Sequence, residues 1–251
     1  MKLIIRADDL GYSEAVNYGI EKSVKDGIVR SVGLMPNMPT AAHGLKLLQG
    51  TGICMGQHTN LCLGKPCADP RRIPSLLDEN GNLKNSKIYR EAQKSGKEVA
   101  PLEEFIIEIE AQYRRFRELT GHEPGYFEAH AVISKNLYKG LEIVAERYGL
   151  KYFFMNPDGS SAFCGKPVSL CPMGSMTPDY NPWQCLQDAV RGADRKIPAV
   201  YICHPGYLDD YLLRNSSLTI NRTKEVVMLC DPAMKSWLDK HDVEIVSYGD
   251  L

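Results

Sequence analysis

Short apolar runs alternate along the chain with longer segments whose apolar residues recur at helical spacing. Residues 3–7 form the first apolar run. In the segment that follows, Val16, Ile20 and Val24 recur every four residues, which is typical of a helix with one buried face. Ser13 precedes this segment and is a candidate N-cap. The pattern therefore predicts a strand followed by a helix.

The same alternation continues toward the C-terminus. Further strands are predicted over residues 28–35, 53–61, 126–130, 151–154, 199–203 and 243–246, and further helices over 41–48, 102–119, 137–148, 222–230 and 232–240. Two segments near 64–100 and 156–182 lack a clear period, and we expect them to be long loop insertions. Repeated strand–helix units predict a parallel sheet with crossover helices, within one α/β domain over residues 1–251.

Polar residues that can carry chemistry lie at or just past the ends of four predicted strands. They are Asp8 and Asp9 on the first strand, followed by His58, His130 and His204 on three others. In a closed barrel the carboxyl ends of all parallel strands meet on one face, where active sites lie. An open sheet brings together mainly the strands beside its switch point. Four contributing strands therefore favour an irregular, TIM-like (β/α) barrel.

Each of these residues is weak evidence when it is taken alone. A pair of acids at a strand end also suits a helix cap or a solvated loop, and one histidine is more often structural than a ligand. As a set, they offer carboxylate and imidazole donors that suit Zn, Mn, Fe or Co, and Mg less well. The other histidines, at positions 43, 122 and 241, are assigned surface or structural roles.

Charge and motif content exclude several classes of protein. The net charge is -1 and the basic residues are interspersed with acids, which argues against nucleic-acid or acidic-membrane partners. No apolar run approaches the roughly 20 residues of a membrane span, and the first run is too short for a signal peptide, so we expect a cytoplasmic protein. The glycine patterns of nucleotide-binding loops are absent, as are CxxC pairs.

Four motifs have the order and spacing of a known family. They are Ala7-Asp8-Asp9-Leu10-Gly11, Gly56-Gln57-His58-Thr59-Asn60-Leu61, Glu128-Ala129-His130 and Cys203-His204-Pro205-Gly206. Together they resemble the YdjC-like carbohydrate deacetylases, a family that includes chitooligosaccharide deacetylases. The resemblance extends over essentially the whole chain. It implies an irregular (β/α) barrel, a divalent metal ion, and removal of acetyl groups from N-acetylated sugars.

The resemblance also implies a role for each polar strand-end residue. Asp9, His58 and His130 correspond to the ligands of one divalent ion, Mg²⁺ or Zn²⁺. Asp8 corresponds to the general base, and His204 to a general acid. These roles agree with the chemistry of amide hydrolysis, in which the carbonyl is polarised, a water is activated and protons are moved.

Four polar residues are predicted to contact the substrate. The residues expected to bind the sugar are Arg6, Asn37, Asn60 and Arg214. The family commonly has Asn where Arg6 stands, and a guanidinium suits a phosphate or carboxylate on the substrate. A salt bridge from Arg6 to Asp8 or Glu128 is the structural alternative. The family's histidine-rich stretch retains only its first histidine here, His130, with Val132 at the position of the second.

Two other functions remain open from the sequence. The same metal-binding barrel would suit a sugar isomerase or a phosphoester hydrolase. A non-catalytic sugar-binding protein is the third interpretation, because the surroundings of His130 are altered. The expected partner is an N-acetylated sugar, plain or phosphorylated, and the resemblance suggests a homodimer.

Overall fold

Strands and helices alternate along most of the chain, as the hydrophobic pattern indicates. The computed structural model describes residues 1–155 and 160–251. The strands within these ranges are β1 (Lys2–Leu10), β2 (Ser31–Leu34), β3 (Cys54–Thr59), β4 (Phe127–Ala129), β5 (Phe153–Met155), β6 (Ser161–Phe163), β7 (Lys166–Leu170), β8 (Ala199–Cys203) and β9 (Glu244–Val246). The helices are α1 (Glu14–Lys25), α2 (Ala41–Leu47), α3 (Ser86–Lys94), α4 (Leu102–Thr120), α5 (Lys135–Tyr148), α6 (Pro182–Gly192), α7 (Asp210–Asn215), α8 (Ile220–Leu229) and α9 (Pro232–Lys240).

The sheet has the strand order β4-β3-β2-β1-β8-β7-β6-β5, and β9 pairs with β1 beside this path. Strand β1 is parallel to β8 and β9, β3 is parallel to β4, and β7 is parallel to β8. Parallel neighbours require crossover connections, which the helices between them supply. The predicted α/β class with a largely parallel sheet is confirmed.

The chain divides into two compact units. Unit 1 comprises Met1–Gly33, Pro39–Met55 and Met155–Leu251, and unit 2 comprises Leu34–Met38 and Gly56–Phe154. The organisation of residues 1–251 as one domain stays a prediction. No helix in the described part of the chain combines the length and apolar character that a membrane span requires.

Unit 1 is built around β1, which lies between parallel partners. Leu3 pairs with Ala199 of β8 and with Ile245 of β9, and the first apolar run is completely buried. Burial on both faces explains why this strand reads as a continuous apolar run. The strand extends to Leu10, three residues beyond its predicted end, because the two acids that follow the apolar run are also buried.

Helix α1 begins where the sequence predicts it. The hydroxyl of Ser13 accepts a hydrogen bond from the backbone N–H of Val16 at 3.3 Å, which is the expected N-cap. Val16 and Ile20 are completely buried, so the predicted apolar face is the buried one.

Unit 2 is centred on α4 and α5, both predicted from their apolar stripes. Each ends at a glycine with positive φ, Gly121 (76°) and Gly149 (65°), the left-handed conformation that commonly ends a helix. The two helices approach closely where a Cβ on Gly140 would lie 2.8 Å from Cδ1 of Ile109. The resulting core contains buried residues from both helices, from β4 and from segment 61–100.

Segment 64–100 is more ordered than its composition suggests. It contains two short 3-10 helices, Pro70–Arg72 and Pro74–Leu76, and helix α3. Only Tyr89 of α3 is buried, and its hydroxyl donates to the carbonyl of Leu61 at 2.9 Å. One buried side chain in nine residues produces no readable period, which explains why the sequence indicated a loop here.

Segment 156–182 also contains regular structure, and its residues 156–159 lie outside the described residues. Strands β6 and β7 form an antiparallel hairpin, with Ser161 opposite Val168. Cys164 and Gly165 form its turn, both with positive φ, and this conformation is usual in two-residue hairpin loops. Cys-Gly is an uncommon sequence for such a turn, and neither the hairpin nor α6 was predicted.

Candidate active site

The acid pair lies where the backbone of β1 turns. Asp8 and Asp9 are both buried, and Asp9 has a φ of 79°, in the left-handed region that non-glycine residues rarely adopt. Gly11 follows with a φ of 97°. The sequence predicted such a bend, because adjacent residues of an ideal strand point to opposite faces.

Asp8 is held by the arginine two residues before it. Nη2 of Arg6 donates to Oδ2 of Asp8 at 2.7 Å, and both side chains are buried. Nη1 of Arg6 donates to the Tyr248 hydroxyl at 3.3 Å. Among residues 1–155 and 160–251, nothing hydrogen-bonds Oδ1 of Asp8, although this atom is buried. The salt bridge that the sequence left open for Arg6 is therefore present, and its role in sugar binding stays a prediction.

Asp9 is held by a second buried arginine, which comes from far along the chain. Nη2 of Arg222 on α8 donates to Oδ2 of Asp9 at 2.7 Å. The guanidinium also lies 5.5 Å from the centre of the Tyr12 ring, and its Nε donates to the carbonyl of Leu218. Sequence reasoning missed this pairing because 213 residues separate the two partners.

His204 follows β8 and is fixed through its backbone. Its N–H donates to Oε2 of Glu225 at 2.5 Å, and its carbonyl accepts from Nη1 of Arg222 at 3.4 Å. The other carboxylate oxygen of Glu225 accepts from the Tyr180 hydroxyl at 2.8 Å. Burial raises the pKa of Glu225 to about 7.

The turn after His204 packs directly on α1. A Cβ on Gly19 would lie 2.4 Å from the Cα of Gly206, far inside van der Waals contact. The N–H of Tyr207 donates to the carbonyl of Ala15 at 3.0 Å. Glycine is required at this approach because the two backbones touch.

In unit 2, β3 and β4 bring an imidazole and a carboxylate together. The parallel register pairs His58 with Glu128, and Nδ1 of His58 donates to Oε1 of Glu128. Nδ1 of His130 lies 2.9 Å from Nε2 of His58, and the two rings are nearly perpendicular. A carboxylate on one ring nitrogen of a histidine is the arrangement that orients metal-binding histidines.

The predicted sugar-binding residues Asn60 and Arg214 differ in burial and in their hydrogen-bond partners. Asn60 is buried, with its amide nitrogen donating to Oδ1 of Asn37 and its amide oxygen accepting from the N–H of Cys62. Arg214 is exposed on α7 and pairs with Asp210 at 2.9 Å. Asn60 thus has a structural role in its loop, and sugar binding by these residues stays a prediction.

Gln112 and Glu108 on α4 form a buried polar pair that the sequence did not reveal. Gln112 accepts from the backbone N–H of Asn60 and donates to its carbonyl, and Glu108 accepts from the N–H groups of Cys67 and Ala68. Burial raises the pKa of Glu108. The apolar residues of α4 recur at helical spacing before and after these two residues. The local sequence pattern therefore did not indicate that Glu108 and Gln112 bind a loop.

The residues predicted to hold a metal ion are one carboxylate of unit 1, Asp9, and two imidazoles of unit 2, His58 and His130, and this assignment stays a prediction. This donor set suits zinc and the neighbouring transition metals better than magnesium. Val132, at the position of the family's second histidine, lies in the apolar core of unit 2 and contributes packing.

The sequence profile of the YdjC-like proteins matches residues 2–240. The chain belongs to the YdjC-like family. A carbohydrate deacetylase of Geobacillus stearothermophilus is 31% identical over 257 residues, covering 99% of this YdjC-like chain and 97% of the relative. Carbohydrate deacetylase 2 of Listeria innocua is 30% identical, and the match covers 100% of this chain and 99% of the relative. A chitooligosaccharide deacetylase of Escherichia fergusonii is 27% identical, with 99% and 98% covered.

Solved structures share the fold of this YdjC-like protein. A protein of Enterococcus faecalis, to which cellobiose-phosphate cleavage is provisionally assigned, superposes with a TM-score of 0.80 at 24% identity, over 99% of this chain and 98% of that one. A family 4 acetyl xylan esterase of Clostridium thermocellum, in complex with a cobalt ion, gives a TM-score of 0.52 at 10% identity, over 100% and 89%. The predicted fold class, an irregular (β/α) barrel, is confirmed, as is the resemblance read from the four motifs.

Proposed function

We propose that the chain is a metal-dependent carbohydrate deacetylase, which hydrolyses the acetamide group of an N-acetylated sugar. The observation that carries this proposal is the family match over residues 2–240. Relatives named carbohydrate deacetylase and chitooligosaccharide deacetylase align over nearly their full length. The chemistry of the buried acids and histidines suits amide hydrolysis.

We assign Asp9, His58 and His130 to the metal ion. Two of these side chains are oriented within their own unit, Asp9 by the guanidinium of Arg222 and His58 by the carboxylate of Glu128. Such partners hold ligating atoms in place before an ion binds. A divalent ion held by these ligands supplies polarisation of the amide carbonyl and acidification of water.

Asp8 is assigned as the base that takes a proton from the attacking water. Its Oδ2 is fixed by Arg6, and its buried Oδ1 has no hydrogen-bond partner within the two described ranges. A carboxylate with one anchored oxygen and one available oxygen has the geometry of a general base. Arg6 thus orients the base, and recognition of a phosphorylated sugar by this arginine stays a prediction.

His204 is assigned as the acid that protonates the leaving amine. Its backbone is fixed directly after β8 by the hydrogen bond to Glu225, which gives the imidazole a defined point of attachment. An imidazole can carry and release a proton near neutral pH, as this role requires.

Acetate release tests the proposal. The protein is stripped with a chelator and reloaded with Zn²⁺, Co²⁺, Mn²⁺ or Mg²⁺, then incubated with N-acetylglucosamine and its oligomers, plain and phosphorylated. We expect acetate and free amine in equal amounts, and only with metal. No acetate from any sugar at full metal occupancy would contradict the proposal. Tight sugar binding without turnover would indicate a binding protein, and released phosphate or an isomerised sugar would indicate the other enzyme classes.

A further inference from the structure

Two side chains of α8 hold the backbone of His204 from both sides. Oε2 of Glu225 accepts the N–H of His204 at 2.5 Å, and Nη1 of Arg222 donates to its carbonyl at 3.4 Å. Residues three positions apart lie on the same face of a helix, so one surface of α8 carries both contacts. Glu225 and Arg222 are both buried.

Each of the two residues is itself fixed by a second set of bonds. Nη2 of Arg222 donates to Asp9, so one guanidinium contacts both Asp9 and His204. Glu225 accepts from the Tyr180 hydroxyl, which lies 3.2 Å from the hydroxyl of Tyr201 on β8. The bonds to α8 therefore connect Asp9, His204 and the end of β8 within unit 1.

Burying the Glu225 carboxylate costs free energy, and among the described residues the carboxylate accepts only one backbone N–H and one tyrosine hydroxyl. Removing a charge from water costs several kcal/mol, and partners recover that cost only when the geometry is good. The Glu225 carboxylate carries such a cost, because burial raises its pKa. A neutral acceptor would satisfy the N–H of His204 at lower cost, so stability alone does not account for Glu225.

We propose that Glu225 and Arg222 are positioning residues, which fix the backbone of His204 so that its imidazole keeps one place relative to Asp9. The inference rests on the proposed deacetylase function. It adds Glu225 to that function and gives Arg222 a second role beside its contact with Asp9. Neither residue touches the substrate, and in this role both act through His204.

Kinetics of Glu225 variants test the inference. In E225A the N–H of His204 loses its acceptor, and we expect kcat to fall about 100-fold, since displacements of about 1 Å have effects of this size. KM and metal content are expected to stay at wild-type values. In E225Q the amide oxygen still accepts this N–H and the amide nitrogen donates to Tyr180, so most of the kcat should return. E225D keeps the charge but withdraws its oxygens by one methylene, and its kcat should lie below that of E225Q.

Asp231 provides a matched control in the same unit. Its carboxylate also accepts one backbone N–H, from Ala233 at 2.8 Å, and one aromatic donor, Nε1 of Trp183 at 3.0 Å. We expect D231A to lower stability and to retain wild-type kcat. Wild-type kcat in folded E225A and E225D, or an equal loss of kcat in D231A, would overturn the inference.

The backbone amide signal of His204 in ¹⁵N–¹H spectra provides a readout that is independent of turnover. A hydrogen bond to a carboxylate moves this proton downfield, so we expect it to shift upfield in E225A and to return only in part in E225Q, where a neutral amide oxygen accepts it. If the wild-type protein releases no acetate from any sugar, the proposed function fails and this measurement decides the inference alone. An unchanged His204 signal in E225A would then overturn it.

Discussion

The two units orient their chemical groups with opposite charge arrangements. In unit 1 the acids are the proposed functional groups and buried arginines hold them, Arg6 on Asp8 and Arg222 on Asp9. In unit 2 the proposed functional group is the imidazole of His58, and a buried carboxylate, Glu128, holds it. In both arrangements a buried partner of opposite character fixes one atom of the side chain.

The difference affects how each unit tolerates substitution. Removing one partner of a buried ion pair leaves an uncompensated charge and commonly costs about 3–5 kcal/mol. The acids of unit 1 stand in such pairs, so truncation there combines a loss of stability with a loss of chemistry. In unit 2 a neutral imidazole can remain when its carboxylate partner is neutralised, so a smaller effect is expected.

The largest effect is expected for the proposed base, Asp8. D8N keeps the size of the side chain and should lower kcat by about 10²–10⁴-fold, because general-base catalysis typically accelerates a reaction by a factor of this size. Metal content should stay at the wild-type level, and elemental analysis of the purified variant measures it. D9A is the contrasting variant and should lose metal. Near-normal turnover in D8N would show that another group accepts the proton.

Ionisation of Glu225 is expected to change the equilibrium constant for unfolding by about 100-fold as the pH rises. Its pKa is raised from 4.5 to about 7, so between these values the folded protein holds a proton that the unfolded chain releases. The free energy of unfolding of metal-free wild type should therefore fall as pH rises through this window, by up to about 3 kcal/mol. E225Q lacks this ionisation, and urea unfolding of both proteins at pH 5 and pH 8 measures the difference. Parallel pH dependence in the two proteins would contradict the assignment.

The smallest of the three effects is expected for the carboxylate in unit 2. E128Q keeps an acceptor for Nδ1 of His58 but removes its charge, and should weaken metal binding by about 10–100-fold. Competition with a chromogenic chelator measures the affinity. Glu110 is the control, because it forms its ion pair with Arg147 on the surface of the same unit. A loss in E110Q as large as that in E128Q would remove the distinction between the two positions.

The sequence predicted the parts of the fold that depend on local pattern. The apolar run of β1, the N-cap of α1 and the glycines that end α4 and α5 all lie at or near their predicted places. Segment 64–100 was misread because α3 buries only Tyr89. The hairpin at Cys164 was missed because its turn sequence is unusual.

In the candidate site, too, the sequence indicated some residues and missed others. Residues at strand ends, such as Asp8 and His204, could be proposed from the sequence because active sites commonly lie at the carboxyl ends of parallel strands. The groups that hold them were harder to find, since Arg222 and Glu225 lie on a helix whose amphipathic pattern gives no sign of its buried polar contacts. Arg6 was visible, and only the structure distinguishes the salt bridge to Asp8 from the alternative with Glu128.

The close approach of Gly19 to Gly206 restricts how this enzyme can be redesigned. A library that varies the turn behind His204 to change substrate range must leave both glycines untouched, since even alanine at position 19 would push the turn outward. Diversity is better placed in the exposed residues of α7, such as Leu213. Gly19, a helix residue that takes no part in the proposed reaction, therefore determines which surface residues can be varied.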